Sequence, residues 1–338
     1  MNKSRNCTLI IILSLFLLSS PALANNLVVS PLFTHNLSPI IQIFGLPPTE
    51  GGQITPSGRS KLRLVMDIAN NFSSDSSSDE TLLFDGETSR LTCSLRHGFG
   101  DQWETGLDVP IISHQGGMLD GLIENWHKSF GLPQGGRDDA PRNQLHYSYT
   151  ETDEKEDIDF SNSGTGLGDT SIYLAYQLNQ NPPSGRRYIA LRGGIKLPTG
   201  NSDHLRGSGG TDLHIRLAAS DGETLKNYGI TLFSSVGLLW LGQGEILSDK
   251  QHRTVGFGSL GLGWAPLNYV TFKIQIDGHS AFYADSKLKQ IDSPSAQLAT
   301  GGTIKVTDNL AVDLCVIEDI VVDTAPDVTF QLALSYLY

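Results

Sequence analysis

The sequence predicts an all-β protein, an antiparallel transmembrane β-barrel of about 12 strands. Segments of about ten residues alternate apolar and polar side chains, which matches both the period of a β-strand and the length of a tilted membrane strand. The polar positions carry full charges in many segments, which suits a wet or ion-paired interior. Aromatic residues recur near the segment ends, where their rings favour a bilayer interface.

Residues 1–24 have the parts of a secretory signal peptide. Lys3 and Arg5 give a positive start, residues 9–18 form a short apolar run, and small residues lead up to Ala24. We predict cleavage after Ala24 and export of the mature chain. The alternative, a retained membrane helix, needs about 20 apolar residues.

Charge and cysteine content exclude two classes of protein. The chain carries a net charge of −12, and loss of the leader removes two positive charges more. Such a chain repels nucleic acid, so we predict no nucleic-acid partner. Only Cys93 and Cys315 follow the leader, which is too few for the disulfide framework of a small secreted domain. The sequence predicts no cofactor and no metal centre.

Residues 25–59 contain five prolines, which break regular secondary structure. A short apolar patch runs from Ile40 to Phe44. Two interpretations stay open for this stretch. It is either a periplasmic segment tucked into the barrel base as a plug, or a loosely ordered tail.

Residues 60–338 carry the alternation and form the predicted barrel. In the first segment, Leu62, Leu64 and Met66 share one face, whereas Arg63 and Asp67 share the other. The last segment ends on Tyr338, and it must pair with the first, because an unpaired edge in lipid leaves backbone groups unsatisfied. The predicted strands lie near 60–71, 81–96, 102–112, 169–178, 187–197, 211–220, 228–241, 253–265, 270–283, 295–305, 310–319 and 327–338.

The connections between these strands alternate between short and long. Bacterial barrels have even strand numbers, short periplasmic turns and long outer loops, so both ends of the barrel chain are predicted to lie in the periplasm. The longest connection, 113–168, is the predicted extracellular loop. It includes the motif "GTGLGD", which we interpret as a glycine turn or bulge at the barrel rim.

An amphipathic helix over about 117–130 is predicted inside this loop, because Met118, Leu122 and Phe130 recur at helical spacing. The helix would narrow the lumen or lie on the outer leaflet. Its polar side chains at Asp120, Glu124 and His127 share a face. They are either pore-gating residues, metal ligands, or a solvated surface. An acidic stretch from Glu151 to Asp159 either binds the divalent cations that bridge lipopolysaccharide or is a solvated loop tip.

The alternation also predicts the charged residues that face the lumen. Among them we single out Arg192, Lys196 and Asp277 as pore-lining or gating candidates. His279 follows Asp277 on the same face, and His214 follows Asp212, but no serine stands in a distinctive nucleophile context. We therefore predict no catalytic residues. The predicted lumen face is Arg63, Asp67, Arg90, Arg96, Glu104, Asp108, Arg192, Lys196, His214, Arg216, Lys273, Asp277, His279, Lys305 and Asp313.

Three stretches carry a resemblance to a known family: "VPIISHQGGMLDGLIENWHKSFGLPQGGRDDAPRN", "GTGLGDTSIYLAYQL" and "IALRGGIKLPTGNSD". Together they resemble an uncharacterised family of Gram-negative outer-membrane proteins, domain of unknown function 3187. The last two also resemble barrels described as transporters of small, often apolar molecules. The resemblance implies an outer-membrane location, and it supplies neither a substrate nor catalytic residues. Tyr338 resembles the terminal aromatic residue that the barrel-assembly machinery reads in many outer-membrane proteins.

The sequence thus predicts a passive pore or transporter for a small molecule rather than an enzyme. Its predicted partners are outer-membrane lipid, lipopolysaccharide, the assembly machinery and a small-molecule substrate. Two alternatives stay open. One is a lipid-modifying enzyme of the outer leaflet with a histidine at the barrel rim. The other is a non-conducting structural barrel.

Overall fold

A computed structural model describes residues 29–117, 121, 143–151, 158–179, 186–321 and 323–338. All twelve predicted strands are present in it, and three short strands join them. In chain order the strands are β1 (Ser60–Ser76), β2 (Glu80–Phe99), β3 (Trp103–Gln115), β4 (His146–Glu151), β5 (Ile158–Phe160), β6 (Gly164–Leu167), β7 (Thr170–Gln177), β8 (Arg187–Leu197), β9 (Asp212–Asp221), β10 (Ile230–Trp240), β11 (Thr254–Leu267), β12 (Val270–His279), β13 (Ser295–Lys305), β14 (Leu310–Asp319) and β15 (Val328–Leu337).

Twelve of the strands close into one antiparallel barrel. β1, β2 and β3 are followed around the barrel by β7 to β15 in chain order, and β15 pairs with β1. The closing register runs from Lys61 opposite Leu337 to Asn70 opposite Val328. Ser60 and Tyr338 complete it by exchanging two backbone hydrogen bonds of 2.8 and 2.9 Å. The predicted pairing of the last strand with the first is therefore confirmed.

The three short strands correct the predicted loop 113–168. β6 pairs with β3, although its Gly164–Leu167 lies in the motif that we predicted to be a turn. Glycines pair through their backbone as other residues do, and the end of β3 offers them an open edge. β4 pairs with the start of β2, and β5 pairs with β4. The predicted helix over about 117–130 lies outside the described residues apart from Gly117 and Gly121, so it stays a prediction.

The two ends of the barrel differ. Connections 100–102, 178–186, 222–229, 268–269 and 306–309 lie at one end, here called the short-turn end. The opposite end, here called the long-loop end, carries 77–79, 116–169, 198–211, 241–253, 280–294 and 320–327. The predicted loop 72–80 is shorter than expected, because β1 continues to Ser76 and β2 begins at Glu80.

The outward face of the barrel is an apolar band. Leu64, Ile172, Leu217, Ile274 and Leu332 are among its many exposed large side chains. Rings gather at its short-turn end, where Phe99 stacks on Trp103, Trp264 on Phe272, and Tyr336 on Tyr338. An exposed apolar surface of this extent requires lipid or detergent. Among the described residues, no helix has the length and apolar character needed to cross a bilayer.

Residues 29–59, here called the lumenal segment, lie inside the barrel as an inverted U. An ascending arm (29–39) starts at the short-turn end, where the Val29 backbone N–H donates to Thr231 Oγ1. It reaches the end of β12, where Asn36 Nδ2 lies 2.9 Å from His279 Nε2. A tip (40–44) turns the chain, and a descending arm (45–59) returns it to β1. At the short-turn end, Ser57 forms a β-bridge with Gly98 of β2. A Cβ at Gly98 would lie 2.2 Å from the Thr55 carbonyl oxygen, so glycine allows the descending arm to lie this close to β2.

The tip is apolar, as its sequence predicts. Ile40, Ile43 and Phe44 are buried in a cluster with side chains of the long-loop end. Phe44 stacks on Phe282 at a ring-centroid separation of 5.2 Å, and the Tyr283 hydroxyl donates to the Ile40 carbonyl oxygen at 3.0 Å. The tip is thus part of a small hydrophobic core at the long-loop end.

The outward face makes a first testable prediction. Leu332 lies in the middle of β15, opposite Met66 of β1 and Leu314 of β14. We expect Leu332→Arg to lower the free energy of unfolding by about 2–4 kcal/mol, because it places a charge in hydrocarbon near the bilayer midplane. Tyr336→Arg, near the short-turn end, should cost about 0–1 kcal/mol. Denaturant titration in phospholipid vesicles measures both, and equal costs would contradict the placement of β15 in a bilayer.

Candidate functional site

The candidate functional site is the barrel lumen, whose wall is charged and largely paired. Inward side chains form buried ion pairs across the wall. Arg96 of β2 pairs with Asp108 of the adjacent β3 at 2.7 Å. Two further pairs each span one intervening strand: Arg192 of β8 with Glu104 of β3 at 2.6 Å, and Lys273 of β12 with Asp313 of β14 at 3.0 Å. Buried charges are tolerated only with such partners, so the wall is a set of ion pairs rather than a bare ring of charge. All fifteen residues of the predicted lumen face are buried or half-buried.

Glu50 of the descending arm is the centre of the site, and sequence reasoning missed it. Its carboxylate lies 2.9 Å from Arg216 Nη2, 3.1 Å from Arg96 Nε and 3.7 Å from Arg192 Nη1. Arg216 also donates to the Pro48 carbonyl oxygen. One signal in the sequence was available: Glu50 is the only acidic or basic residue between Ala24 and Arg59 apart from His35. A single carboxylate in an otherwise uncharged segment needs a cationic partner once it is buried.

Lys196 holds the tip of the lumenal segment at the long-loop end. Its Nζ lies 2.7 Å from Asp169 Oδ2 and 3.1 Å from Asp212 Oδ2, and it donates to the Ile43 carbonyl oxygen at 3.2 Å. Asp212 accepts a hydrogen bond of 2.8 Å from the Gly45 backbone N–H. A wall cation and a wall carboxylate therefore bind the backbone on both sides of residue 44.

Asp277 connects the two arms of the lumenal segment. It accepts a hydrogen bond from Thr34 Oγ1 at 2.7 Å on the ascending arm and one from Thr49 Oγ1 at 2.8 Å on the descending arm. Gln275, two residues earlier on β12, donates to Thr34 Oγ1 and accepts from the Leu32 backbone N–H. The side chain of Asp277 therefore fixes the spacing of the arms.

Arg192 binds the descending arm through its backbone as well as through Glu50. It donates to the carbonyl oxygens of Gly51 at 3.1 Å and Gln53 at 3.0 Å. The structure thus brings Arg192, Lys196 and Asp277 to one ligand, the lumenal segment. Their pore-lining or gating role stays a prediction. Asp120, Glu124 and His127 lie outside the described residues, and within the described part of the chain no group of metal-ligating side chains comes together.

A cavity of about 360 Å³ lies between the lumenal segment and the wall at the short-turn end. Its charged lining comes from both the wall and the descending arm, and apolar side chains complete it. The charged lining includes Lys61, Arg63, Arg96, Arg192 and Glu50, and the apolar lining includes Val29, Pro31, Leu310 and Leu337. The cavity places the Glu50 site within reach of a small molecule from the short-turn end.

His279 and His214, which follow Asp277 and Asp212 in the sequence, contact other groups instead of these carboxylates. His279 contacts Asn36 and the Ser280 carbonyl oxygen rather than Asp277, and His214 packs against the rings of Tyr173 and Phe257. Ser60 Oγ lies 2.8 Å from His97 Nδ1 at the short-turn end. No carboxylate contacts the His97 ring among the described residues, so the orienting group that a serine nucleophile needs is not in place there.

Comparison with known proteins agrees with this fold. The sequence matches the protein family of unknown function DUF3187 over residues 7–338. No curated protein matches it. The COG4313 outer membrane channel from Pseudomonas putida F1 superimposes with a TM-score of 0.55 at 11% identity, covering 85% of this chain and 98% of that one. The NanC porin gives 0.44 at 10% identity, covering 82% and 98%. At such identities, the first likeness shows the barrel fold and nothing finer.

The double role of Asp277 makes a second prediction. Asp277→Asn exchanges one acceptor oxygen for a donor, so one threonine hydroxyl loses its partner. We expect about tenfold or more faster amide exchange in residues 29–59, corresponding to one lost buried hydrogen bond. Hydrogen-exchange mass spectrometry in detergent measures it. Asp308→Asn, in the exposed 306–309 turn, serves as the control. Unchanged exchange in the Asp277 variant would contradict its role in holding the arms.

Proposed function

Because this chain belongs to the DUF3187 family of unknown function, we propose its role from the geometry of the lumen: it is an outer-membrane channel for a small molecule, closed at rest by residues 29–59. A solved structure with a similar barrel, the COG4313 protein from Pseudomonas putida F1, is an outer membrane channel. The observation that carries the proposal is that the chain's own segment lies inside a closed barrel and that its descending arm is held there mainly by polar contacts.

The nature of these contacts supports a reversible closure. In both arms, wall side chains bind the segment through hydrogen bonds to its backbone and hydroxyl groups, as Arg192 and Asp277 do. Water can replace such bonds at a net cost of about 0.5–1.5 kcal/mol each. Apolar packing buries the tip, residues 40–44, and part of the ascending arm, where Leu32 and Phe33 lie against apolar wall side chains, so the descending arm is the part held mainly by polar contacts. A permanent filler would bury apolar surface along its whole length, because that gives stability without polar partners.

Withdrawal of the segment would leave a lumen lined by the wall ion pairs. A twelve-stranded barrel lies between the eight-stranded barrels that side chains fill and the sixteen-stranded porins with an open channel. A narrow polar route for a small solute fits that width. The ascending arm starts, and the descending arm ends, at the short-turn end, so the segment would leave towards that side.

Location and assembly complete the proposal. The apolar outer band, the aromatic residues at the short-turn end and the resemblance of Tyr338 to a terminal assembly signal support the bacterial outer membrane. We propose export by residues 1–24 with cleavage after Ala24, and insertion through the barrel-assembly machinery. The lipid contacts are with outer-membrane lipid and lipopolysaccharide.

Our third prediction tests the gating claim with a disulfide that holds the lumenal segment to the wall and can be broken by reduction. A Cβ added at Gly45 would lie 3.0 Å from Asp212 Cβ, about half an ångström closer than the Cβ atoms of a disulfide, so a small shift of the segment brings two cysteines to disulfide spacing. The variant Gly45→Cys with Asp212→Cys should be silent in planar bilayers when oxidised. When reduced it should conduct about tenfold more often than the unmodified protein, because the Asp212 contacts to Gly45 and Lys196 are lost.

Gly45→Cys alone, oxidised in the same way, is the matched control, and its conductance should be the same in the oxidised and reduced states. Silence of the reduced double variant, with its barrel shown to be folded by circular dichroism, would contradict the channel and favour a non-conducting structural barrel.

The long loop remains a second gate in our proposal. If the segment around Asp120, Glu124 and His127 narrows the outer mouth, deletion of 118–133 should raise conductance in the reduced double variant. Conductance identical to that of the intact loop would remove the loop from the gate. This fourth experiment leaves the lumenal segment unchanged, so it separates the two elements.

A further inference from the structure

The positive side chains of the wall around Glu50 are arranged so that an anion between them is stabilised. Two pairs of like charges stand directly opposite each other across neighbouring strands: Arg192 of β8 faces Arg216 of β9, and Lys61 of β1 faces Arg96 of β2. Like charges in such positions destabilise a sheet. An anion between them offsets this electrostatic repulsion. In this structure the Glu50 carboxylate is that anion for Arg96, Arg192 and Arg216.

The wall has more cations than carboxylates at this level. Arg96 and Arg192 have wall partners in Asp108 and Glu104. Arg216 has only Glu50 as a carboxylate partner in the described part of the chain. Arg63 lies 4.4 Å from the centroid of the Phe33 ring and donates to Ser335 Oγ, and no described carboxylate pairs with it or with Lys61. Without Glu50, the site carries a clear excess of positive charge.

The cavity at the short-turn end connects this excess charge to solvent. Lys61, Arg63, Arg96 and Arg192, here called the cation cluster, all line it, and so does Glu50. Its volume of about 360 Å³ is that of a pocket for a small organic molecule. Val29, Pro31, Leu310 and Leu337 line the same space and offer an apolar surface.

We propose that this cavity binds the carboxylate of a small organic acid, and that Glu50 is an intramolecular stand-in for that carboxylate. The proposal rests on the proposed function, for which it names the substrate class. A bound carboxylate takes over the cation cluster, the descending arm loses its one ion-paired side chain, and the lumenal segment is released. Guanidinium groups suit the task, because their fixed donor pairs match the two oxygens of a carboxylate.

The test is a titration of the purified mature protein in detergent with benzoate, using benzamide as its uncharged isostere. Glu50→Gln keeps the shape of the side chain and removes the competing charge. We expect benzoate to bind this variant about tenfold or more tightly than it binds the unmodified protein, as measured by isothermal titration calorimetry. Benzamide should gain nothing.

Asp67→Asn is the matched control. It also removes a buried lumenal carboxylate, but Asp67 hydrogen-bonds Gln331 of the wall and lies outside the cavity lining. Its benzoate affinity should stay within about twofold of the unmodified protein. Equal affinities of the Glu50 and Asp67 variants, or an equal gain for benzamide, would overturn the proposal.

The unmodified protein gives a second readout that does not depend on folding of a variant. Saturating benzoate should speed amide exchange in residues 48–53, since it displaces Glu50, whereas benzamide should not. Unchanged exchange with benzoate would overturn the anion site. If the Gly45→Cys, Asp212→Cys variant stays silent in planar bilayers after reduction, the proposed function is contradicted instead. The benzoate binding measured here does not depend on that result.

Discussion

The pairing of β15 with β1 is the constraint on which the rest of the structure depends. It leaves the barrel no open edge, which lipid would not tolerate, and it fixes for every strand which side chains face outwards. The charged residues are thereby forced into an enclosed lumen. Buried there, they need ion-pair or hydrogen-bond partners. The lumenal segment supplies some of these partners, because it is continuous with β1 and therefore stays close to the barrel.

The lumenal segment combines two kinds of contact that have different consequences. Its tip, and Leu32 and Phe33 of its ascending arm, are held by apolar packing, whereas its descending arm is held by hydrogen bonds and by Glu50. Apolar burial resists water, but polar bonds exchange with it at small net cost. The descending arm is thus the part of the closure with which a solute entering from the short-turn end can compete. The tip sets how far the segment must move before the lumen is continuous.

The barrel could be predicted from the sequence because a period of two is a property of each strand by itself. The alternation of Arg63 and Asp67 with Leu64 and Met66 already states which way β1 faces. The lumenal segment has no period, since five prolines and its contacts with distant strands set its path. Glu50 meets Arg96, Arg192 and Arg216 only after folding, so one sequence could show that it needs a cation but not which. β6 was missed because Gly164 and Gly166 have the composition of a turn, and only the open edge of β3 makes them a strand.

The central claim is that residues 29–59 occupy the lumen, and methyl-selective NMR of the mature protein in detergent micelles tests it most directly. The account predicts nuclear Overhauser contacts between the methyl groups of Ile40 and the ring of Tyr283, and between those of Leu32 and the β12 residues around Gln275. Narrow signals at random-coil positions for the isoleucine and leucine methyls of this segment, without contacts to the barrel, would contradict it.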